Sequence, residues 1–412
     1  MAKTNIKEKL KKPRTVGLTR VFANFFGTLS SSGGLLLSAA LVSLFLANSG
    51  IADNWLGLWS EQLHPPIPGL HSHSLVEWIN DGLMTIFFLL VGLEIERELF
   101  AGELSDRRTA ILPVIAAAGG MVFPALFFFI VNLSHPLNYK GAGIPTATDI
   151  AFAIAIMGAL GNRVPASLKI FLTALAIIDD LGAILVIAIF YGGGVHFPWL
   201  AAALGIFAVL YFAGKKGLHY LGVYLVGGVL MWYCMMQSGI HATMAGVLLA
   251  FAIPFGKGKS RSLSNRLEHS LEKPVAFFVL PIFALANTAI PLNADLFSEI
   301  WSALPLGIII GLLLGKPVGI YLFSKIAVAS GLASMPQNID NRKLLGAGIL
   351  GGIGFTMAIF VANLAFAQQS MVELSKIAVL IASALAASIG YVVLRNSSKN
   401  TEILIIQDNE KT

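Results

Sequence analysis

The chain predicts an all-α polytopic membrane protein with about twelve transmembrane helices, and three observations carry that prediction. Of its 412 residues, 56% are hydrophobic and only 12% charged, too little charge to cover the surface of one water-soluble domain of this size. Apolar runs long enough to span a bilayer recur from end to end. Lysine and arginine collect in alternate loops. Helices are the natural spanning element because each satisfies its main-chain polar groups within one segment.

Residues 1–27 form a basic tail with Lys3, Lys7, Lys9, Lys11, Lys12, Arg14 and Arg20. The first apolar run, about 28 to 46, starts late, and its far end, Phe45-Leu46-Ala47-Asn48, lacks a small-x-small cleavage pattern, so it is expected to be retained as a helix. An outward loop follows with His64, His71 and His73 among Pro65, Pro66 and Pro68. No carboxylate or cysteine framework accompanies these histidines, which argues against a transition-metal site. Further spans are expected at about 75 to 100, 111 to 132, 142 to 160, 167 to 191, 198 to 213, 221 to 235, 239 to 253, 272 to 289, 303 to 324, 344 to 366 and 374 to 395. Residues 28–395 thus make the transmembrane domain and 396–412 a second tail. Cys234 is the lone cysteine, which excludes an intrachain disulfide and argues against cysteine-ligated metal.

The basic loops fix the orientation. After the tail, alternate loops carry Arg97, Arg107 and Arg108, then Arg163 and Lys169, Lys215 and Lys216, Lys257, Lys259, Arg261 and Arg266, and Lys325, Arg342 and Lys343, whereas the intervening loops offer Lys140 and little else. Under the positive-inside rule the number of spans is even and both termini are cytoplasmic. Topology and contact with anionic lipid therefore account for the net charge of +6, with no nucleic-acid role.

Asp179 and Asp180 stand side by side in the uncharged run from Leu172 to Phe190. Charges at such a depth cost roughly 2.5 to 3.5 kcal/mol or more per residue and face a partner or a watery cavity. Carboxylates are hard oxygen ligands for a cation that must shed water, and they also take protons, so the pair points to cation or proton traffic. Adjacent helical residues point about 100° apart, which lets the two acids meet different neighbours, one a cavity and one a lysine. Desolvation and mutual repulsion disfavour ionisation of both at once, and proton and cation then compete for the same oxygens.

An internal echo adds to this. Gly141-Ala-Gly-Ile144 opens one apolar segment and Gly346-Ala-Gly-Ile349 another, and each precedes a stretch that an unbroken helix avoids: Pro145-Thr-Ala-Thr-Asp149 and Gly351-Gly-Ile-Gly-Phe-Thr356. Paired breaks in corresponding parts of two halves mark the binding site of a repeat-built transporter. Crossed broken helices leave exposed amide ends and exposed carbonyl ends at low dielectric. Asp149 is placed to balance the former, and Lys316, alone inside Ile308 to Leu322 and too deep to snorkel, the latter.

With Thr148, Asp149, Asp179, Asp180 and Lys316 together, the chain resembles the NhaA family of sodium/proton antiporters from Asn24 to about Arg395. The resemblance rests on five blocks in order: Asn80 to Glu98, Pro145 to Ala153, Ala176 to Gly182, Ser238 to Thr243 and Gly351 to Ala358. Inverted repeats with broken helices are an established trait of that family, so the two lines of reasoning overlap.

The resemblance implies twelve helices, two of them interrupted and crossing near Thr148 and Gly352. It implies a multi-pass protein of the bacterial inner membrane that extrudes one cytosolic sodium or lithium ion for more than one entering proton. No soluble cofactor, no enzymatic reaction and no metal beyond the transported ion are expected. By similarity, Asp180 is the central carrier, Asp179 stands beside it, and Thr148 and Asp149 contribute to the site or its field. Whether Asp179 binds sodium directly or pairs with Lys316 is left open by the sequence.

A second titratable group lies toward the cytoplasm. Glu94 and Glu98 share a helix face, with Arg97 adjacent and Asp81 about three turns earlier, a spacing that on its own describes a paired helix end. The resemblance implies a pH-sensing role for this cluster with Glu268 or Arg266, and for His241. It also implies that the outward histidine loop forms a short hairpin of a homodimer. An intramembrane protease is argued against by the absence of Gly-x-Gly-Asp and Gly-x-Ser-Gly turns.

Overall fold

A computed structural model describes residues 18–64, 72–192, 194–256 and 262–409. The basic residues from Lys3 to Arg14, His71 with its three prolines, and Lys257, Lys259 and Arg261 lie outside the described residues. Helices occupy every one of the predicted apolar runs. In chain order they are α1 (Leu18–Leu46), α2 (Leu75–Ala101), α3 (Arg107–Val131), α4 in two pieces (Pro136–Thr146 and Ile150–Ala159), α5 (Ala166–Phe190), α6 (Phe197–Lys215) and α7 (Leu221–Gln237). After these come α8 (Met244–Ala252), α9 (Leu263–Asn287), α10 (Ala303–Ala329), α11 in two pieces (Asn341–Gly351 and Phe355–Ala365) and α12 (Gln369–Asn409). Among the described residues, seven helices are long and apolar enough to cross a membrane, or up to nine if each bent pair is one span; α1, whose apolar stretch is Ser32–Leu46, and the shorter α7 and α8 complete the order.

Local sequence sets several starts. Ser74 and Glu77 form a reciprocal capping box ahead of α2, with Ser74 N donating to Glu77 Oε2 at 2.6 Å. Asp340 and Ser262 cap α11 and α9 by accepting from Lys343 N at 2.7 Å and Asn265 N at 3.3 Å. Four elements differ from the sequence expectation: α1 begins at Leu18, inside the residues expected as a tail, and α12 runs on to Asn409 instead of ending near 395. The ninth helix begins at Leu263 rather than near 272, because its charged first turns are amphipathic and bury Glu268 against α2, which a hydropathy reading treats as loop. The eighth is shorter than expected, since Gly239 at φ +77° turns the chain before it.

Two sets of helices pack mainly among themselves: α3, α4, α5, α10, α11 and α12 in one, and α2, α6, α7, α8 and α9 in the other. The seam between them runs along α2 against α5 and α9 against α11, while α1 packs on both α9 and α4. Inside the first set α3 and α10 meet at bare backbone. A Cβ on Gly119 would lie 2.4 Å from Gly319 O, and one on Gly319 would lie 2.1 Å from Gly119 O. This contact brings Lys316, which follows the π-helical turn Gly311–Gly315, against the acidic pair on α5. Large apolar side chains such as Phe45, Phe190, Val209 and Val226 stay exposed around the outside, as a lipid-facing surface requires. Outside the helical body, Gln62–Leu63 pairs antiparallel with His73–Ser74 in a small hairpin.

Candidate functional site

The two interrupted helices bend by 45° and 43° at their breaks. They touch there: Asp149 N donates to Ile353 O at 2.6 Å, and Thr148 Oγ1 lies 2.9 Å from Gly351 O. Both breaks expose backbone groups that need partners in a low-dielectric interior. Asp149 supplies them at the amide ends. Its Oδ1 accepts from Phe152 N at 2.9 Å, and its Oδ2 accepts from Thr356 N at 3.0 Å and from the Thr356 hydroxyl, so one carboxylate caps the second pieces of both helices. Lys316 serves the carbonyl end, donating to Thr146 O, the last residue of the first piece of α4.

The acidic pair sits beside this crossing. Asp179, Asp180, Thr148, Asp149 and Lys316 are each at most 2% exposed. Asp179 Oδ2 takes the ammonium of Lys316 at 2.9 Å and the Thr148 hydroxyl at 2.7 Å. Thr148 has one hydrogen for two acceptors, Asp179 and Gly351, and donates to only one at a time. The opposite oxygen, Asp179 Oδ1, and Asp180 Oδ1 are buried with no hydrogen-bond donor. Buried carboxylate oxygens without donors are costly unless a proton or a cation occupies them. Hydroxyl, carbonyl and carboxylate oxygens converging at one place are hard donors that suit a small alkali cation, and the same carboxylates accept protons. In this conformation Asp179 is the carboxylate paired with Lys316.

The acids toward the end of α2 and the start of α9 divide into two environments. Arg97 bridges Glu98 at 2.7 Å and Glu268 at 2.6 Å, and both acids are 2% exposed. Glu94, on the same face one turn earlier, instead lines a small, largely apolar cavity with Glu272 between α2, α4 and α9. His241 lies about 20 Å away along α2, judged from the 1.5 Å rise between Glu94 and the Asp81 that faces it. There His241 Nε2 is 2.9 Å from Tyr191 O, at a cavity of about 240 Å³ shared with His73, Asp81 and Gln237. Arg266 makes no ion pair with the cluster.

Sequence reasoning missed three participants. Thr356 is one, and a hydroxyl directly after the second break is the signal the sequence offers for it. Glu272 was overlooked despite lying one turn beyond Glu268. Glu96 is buried and accepts from Ser264 Oγ at 3.0 Å, a contact with α9 that no local spacing signals.

The family model described as Na+/H+ antiporter 1 matches residues 23–394, nearly the whole helical body. The chain belongs to that family. Its members include the Na(+)/H(+) antiporter NhaA 1 of Flavobacterium johnsoniae, 51% identical over 387 residues that cover 93% of this chain and all of the relative. The Na(+)/H(+) antiporter NhaA of Flavobacterium psychrophilum is 51% identical over 386 residues, covering 94% of this chain and 98% of that protein. The fold reaches further than sequence does. The sodium proton antiporter MjNhaP1 of Methanocaldococcus jannaschii superposes with a TM-score of 0.52 over 91% of this chain and 98% of that chain, at 13% identity.

Proposed function

We propose that the chain is a sodium/proton antiporter in which Asp180 carries the ion and the proton in turn, assisted by Asp179, Thr148 and the field of Asp149. The observation that carries this reading is the pair of buried carboxylate oxygens without donors, Asp179 Oδ1 and Asp180 Oδ1, beside the crossing of two broken helices. With sodium absent, Lys316 neutralises Asp179. An arriving sodium or lithium ion competes with that ammonium and with protons for the same oxygens, so its binding releases protons. Two carboxylates and a lysine release more protonic charge than one sodium replaces, which makes exchange electrogenic. Nothing in this cycle is an enzymatic reaction or requires a soluble cofactor.

The remaining features fit the same reading. The positive loops favour an orientation with both termini on the cytoplasmic side of a bacterial inner membrane. Arg97, Glu98 and Glu268, with Glu94 in its cavity, are charged groups distinct from the carrier pair and set the response to cytoplasmic pH, with His241 acting from the outer side. The hairpin at Gln62–Leu63 and His73–Ser74, whose first strand is exposed, joins two copies as a homodimer.

The test is a ΔpH measurement in everted vesicles. Adding sodium or lithium collapses a respiration-generated acid interior, and potassium serves as the selectivity control. Vesicles rich in the protein whose ΔpH ignores sodium at every pH between 6 and 9 would overturn the assignment, a window of roughly this span being set by ordinary histidine and perturbed carboxyl titration.

A further inference from the structure

Lys376 is a second lysine buried within a span, and the site just described does not use it. It is 6% exposed on α12, and among the described residues no carboxylate stands within ion-pair distance of it. Its ammonium instead reaches Asn287 Oδ1 at 3.2 Å. The same oxygen accepts from Asn363 Nδ2 at 2.7 Å, while Asn287 Nδ2 donates to Asn80 Oδ1 at 2.8 Å and to Phe283 O at 3.1 Å. An ammonium has only hydrogens to offer, so it fixes the Asn287 amide with its oxygen toward α12 and its nitrogen toward α2.

The placement of these residues gives the network its meaning. Asn80 and Asn287 belong to the set containing α2 and α9, and Asn363 and Lys376 to the set containing α11 and α12. The bonds from Asn363 and Lys376 to Asn287 therefore cross the seam. They cross it at the outer end, where α9 finishes and α2 and α12 start, away from the basic loops. One turn deeper on α11, Phe360 packs on Phe88 of α2 and Phe283 of α9 with ring centroids 5.2 and 6.4 Å apart. All three rings are at most 2% exposed. An amide and ammonium layer above an aromatic layer closes the outer end of the seam.

We propose that Asn287, Asn363 and Lys376, with Phe360 beneath them, form an outer gate whose cross-seam bonds part each time the ion site opens outward. The proposal rests on the exchange reading above. Buried amides and an ammonium have two good states, bonded to one another or fully hydrated, and little between. The gate therefore opens as a unit when water enters the seam. Phe360, carried on the same helix as Thr356 of the site, withdraws with it.

The experiment uses the full chain with Cys234→Ala in proteoliposomes. Asn287→Cys with Asn363→Cys, joined by a short bis-methanethiosulfonate through two disulfides, loses sodium/proton exchange, and a thiol reductant, which cleaves those disulfides, restores it. The matched control is Asn132→Cys with Asn138→Cys, whose parent side chains bond at 2.7 Å on the outer side within one set. Joining that pair leaves exchange intact. Exchange at the reduced-state rate by the joined 287/363 protein overturns the gate. A second readout does not depend on the double variant: an impermeant thiol reagent added outside reacts faster with Asn363→Cys during sodium-driven turnover than at rest. Equal reactivity in the two conditions also overturns it. Absence of sodium/proton exchange in the unmodified chain would count against the exchange reading instead.

Discussion

Residues at the crossing act through what they lack as much as through what they touch. Asp180 keeps a buried oxygen without a donor, and replacing it by asparagine preserves size while removing the charge and the exchangeable proton. Asp180→Asn is expected to insert normally and abolish sodium-driven proton movement, and exchange by the purified, folded variant in proteoliposomes would show that the carrier lies elsewhere. Glu98→Gln makes a contrasting case. Its carboxylate sits in the Arg97 bridge, remote in sequence from the acidic pair, so the variant is expected to shift the pH profile or the apparent sodium affinity while keeping substantial maximal activity. Total loss at every pH would put Glu98 in the transport path, and an unchanged profile would leave it a structural ion pair. Asp179, Asp180 and Lys316 were legible in the sequence because a charge in an apolar run is conspicuous. Thr356 and the carbonyls of Thr146 and Gly351 were not, since hydroxyls and backbone are ordinary in membrane helices and their partners come from a segment some 200 positions away.

At the scale of elements, helices can carry a charged site only if their backbones come close enough to exclude lipid around it. The α3 and α10 contact meets that need through Gly119 and Gly319, each of which would have a Cβ within 2.4 Å of the other's carbonyl oxygen. Gly319→Ala must push the helices apart, at a cost of about 1–3 kcal/mol for overpacking. A lowered thermal unfolding midpoint in detergent checks this against Gly205→Ala on α6, where an added Cβ meets nothing within 4 Å and the midpoint should hold or rise. Hydropathy located a helix at every apolar run, because apolarity is what burial in lipid or in the core requires. It failed at the start of α9, where burial is against protein: Glu268 is covered by Arg97 of α2, and a charge with a protein partner is invisible to an average over neighbours. The two breaks were legible because proline and clustered glycine mark them, whereas the carboxylate that caps both second pieces follows only from the crossing.

For the whole molecule, unequal stoichiometry has an electrical signature. Imposing a membrane potential at fixed ion gradients should change the exchange rate, and indifference of both rate and equilibrium gradients to potential would make the exchange one for one. The division into two sets adds a constraint of another kind. Thr148, Asp149, Asp179, Asp180, Lys316 and Thr356 all come from α4, α5, α10 and α11, which pack in one set, and none comes from the other. A movement along the seam leaves the coordinating oxygens in the same mutual arrangement whichever face they address. Sodium therefore meets the same intrinsic affinity from either side at equal pH, and half-saturating concentrations measured in right-side-out and inverted vesicles should coincide once the potential is clamped to zero. Direction then belongs to the gradients alone, and the same molecule, with those gradients reversed, loads sodium as readily as it expels it.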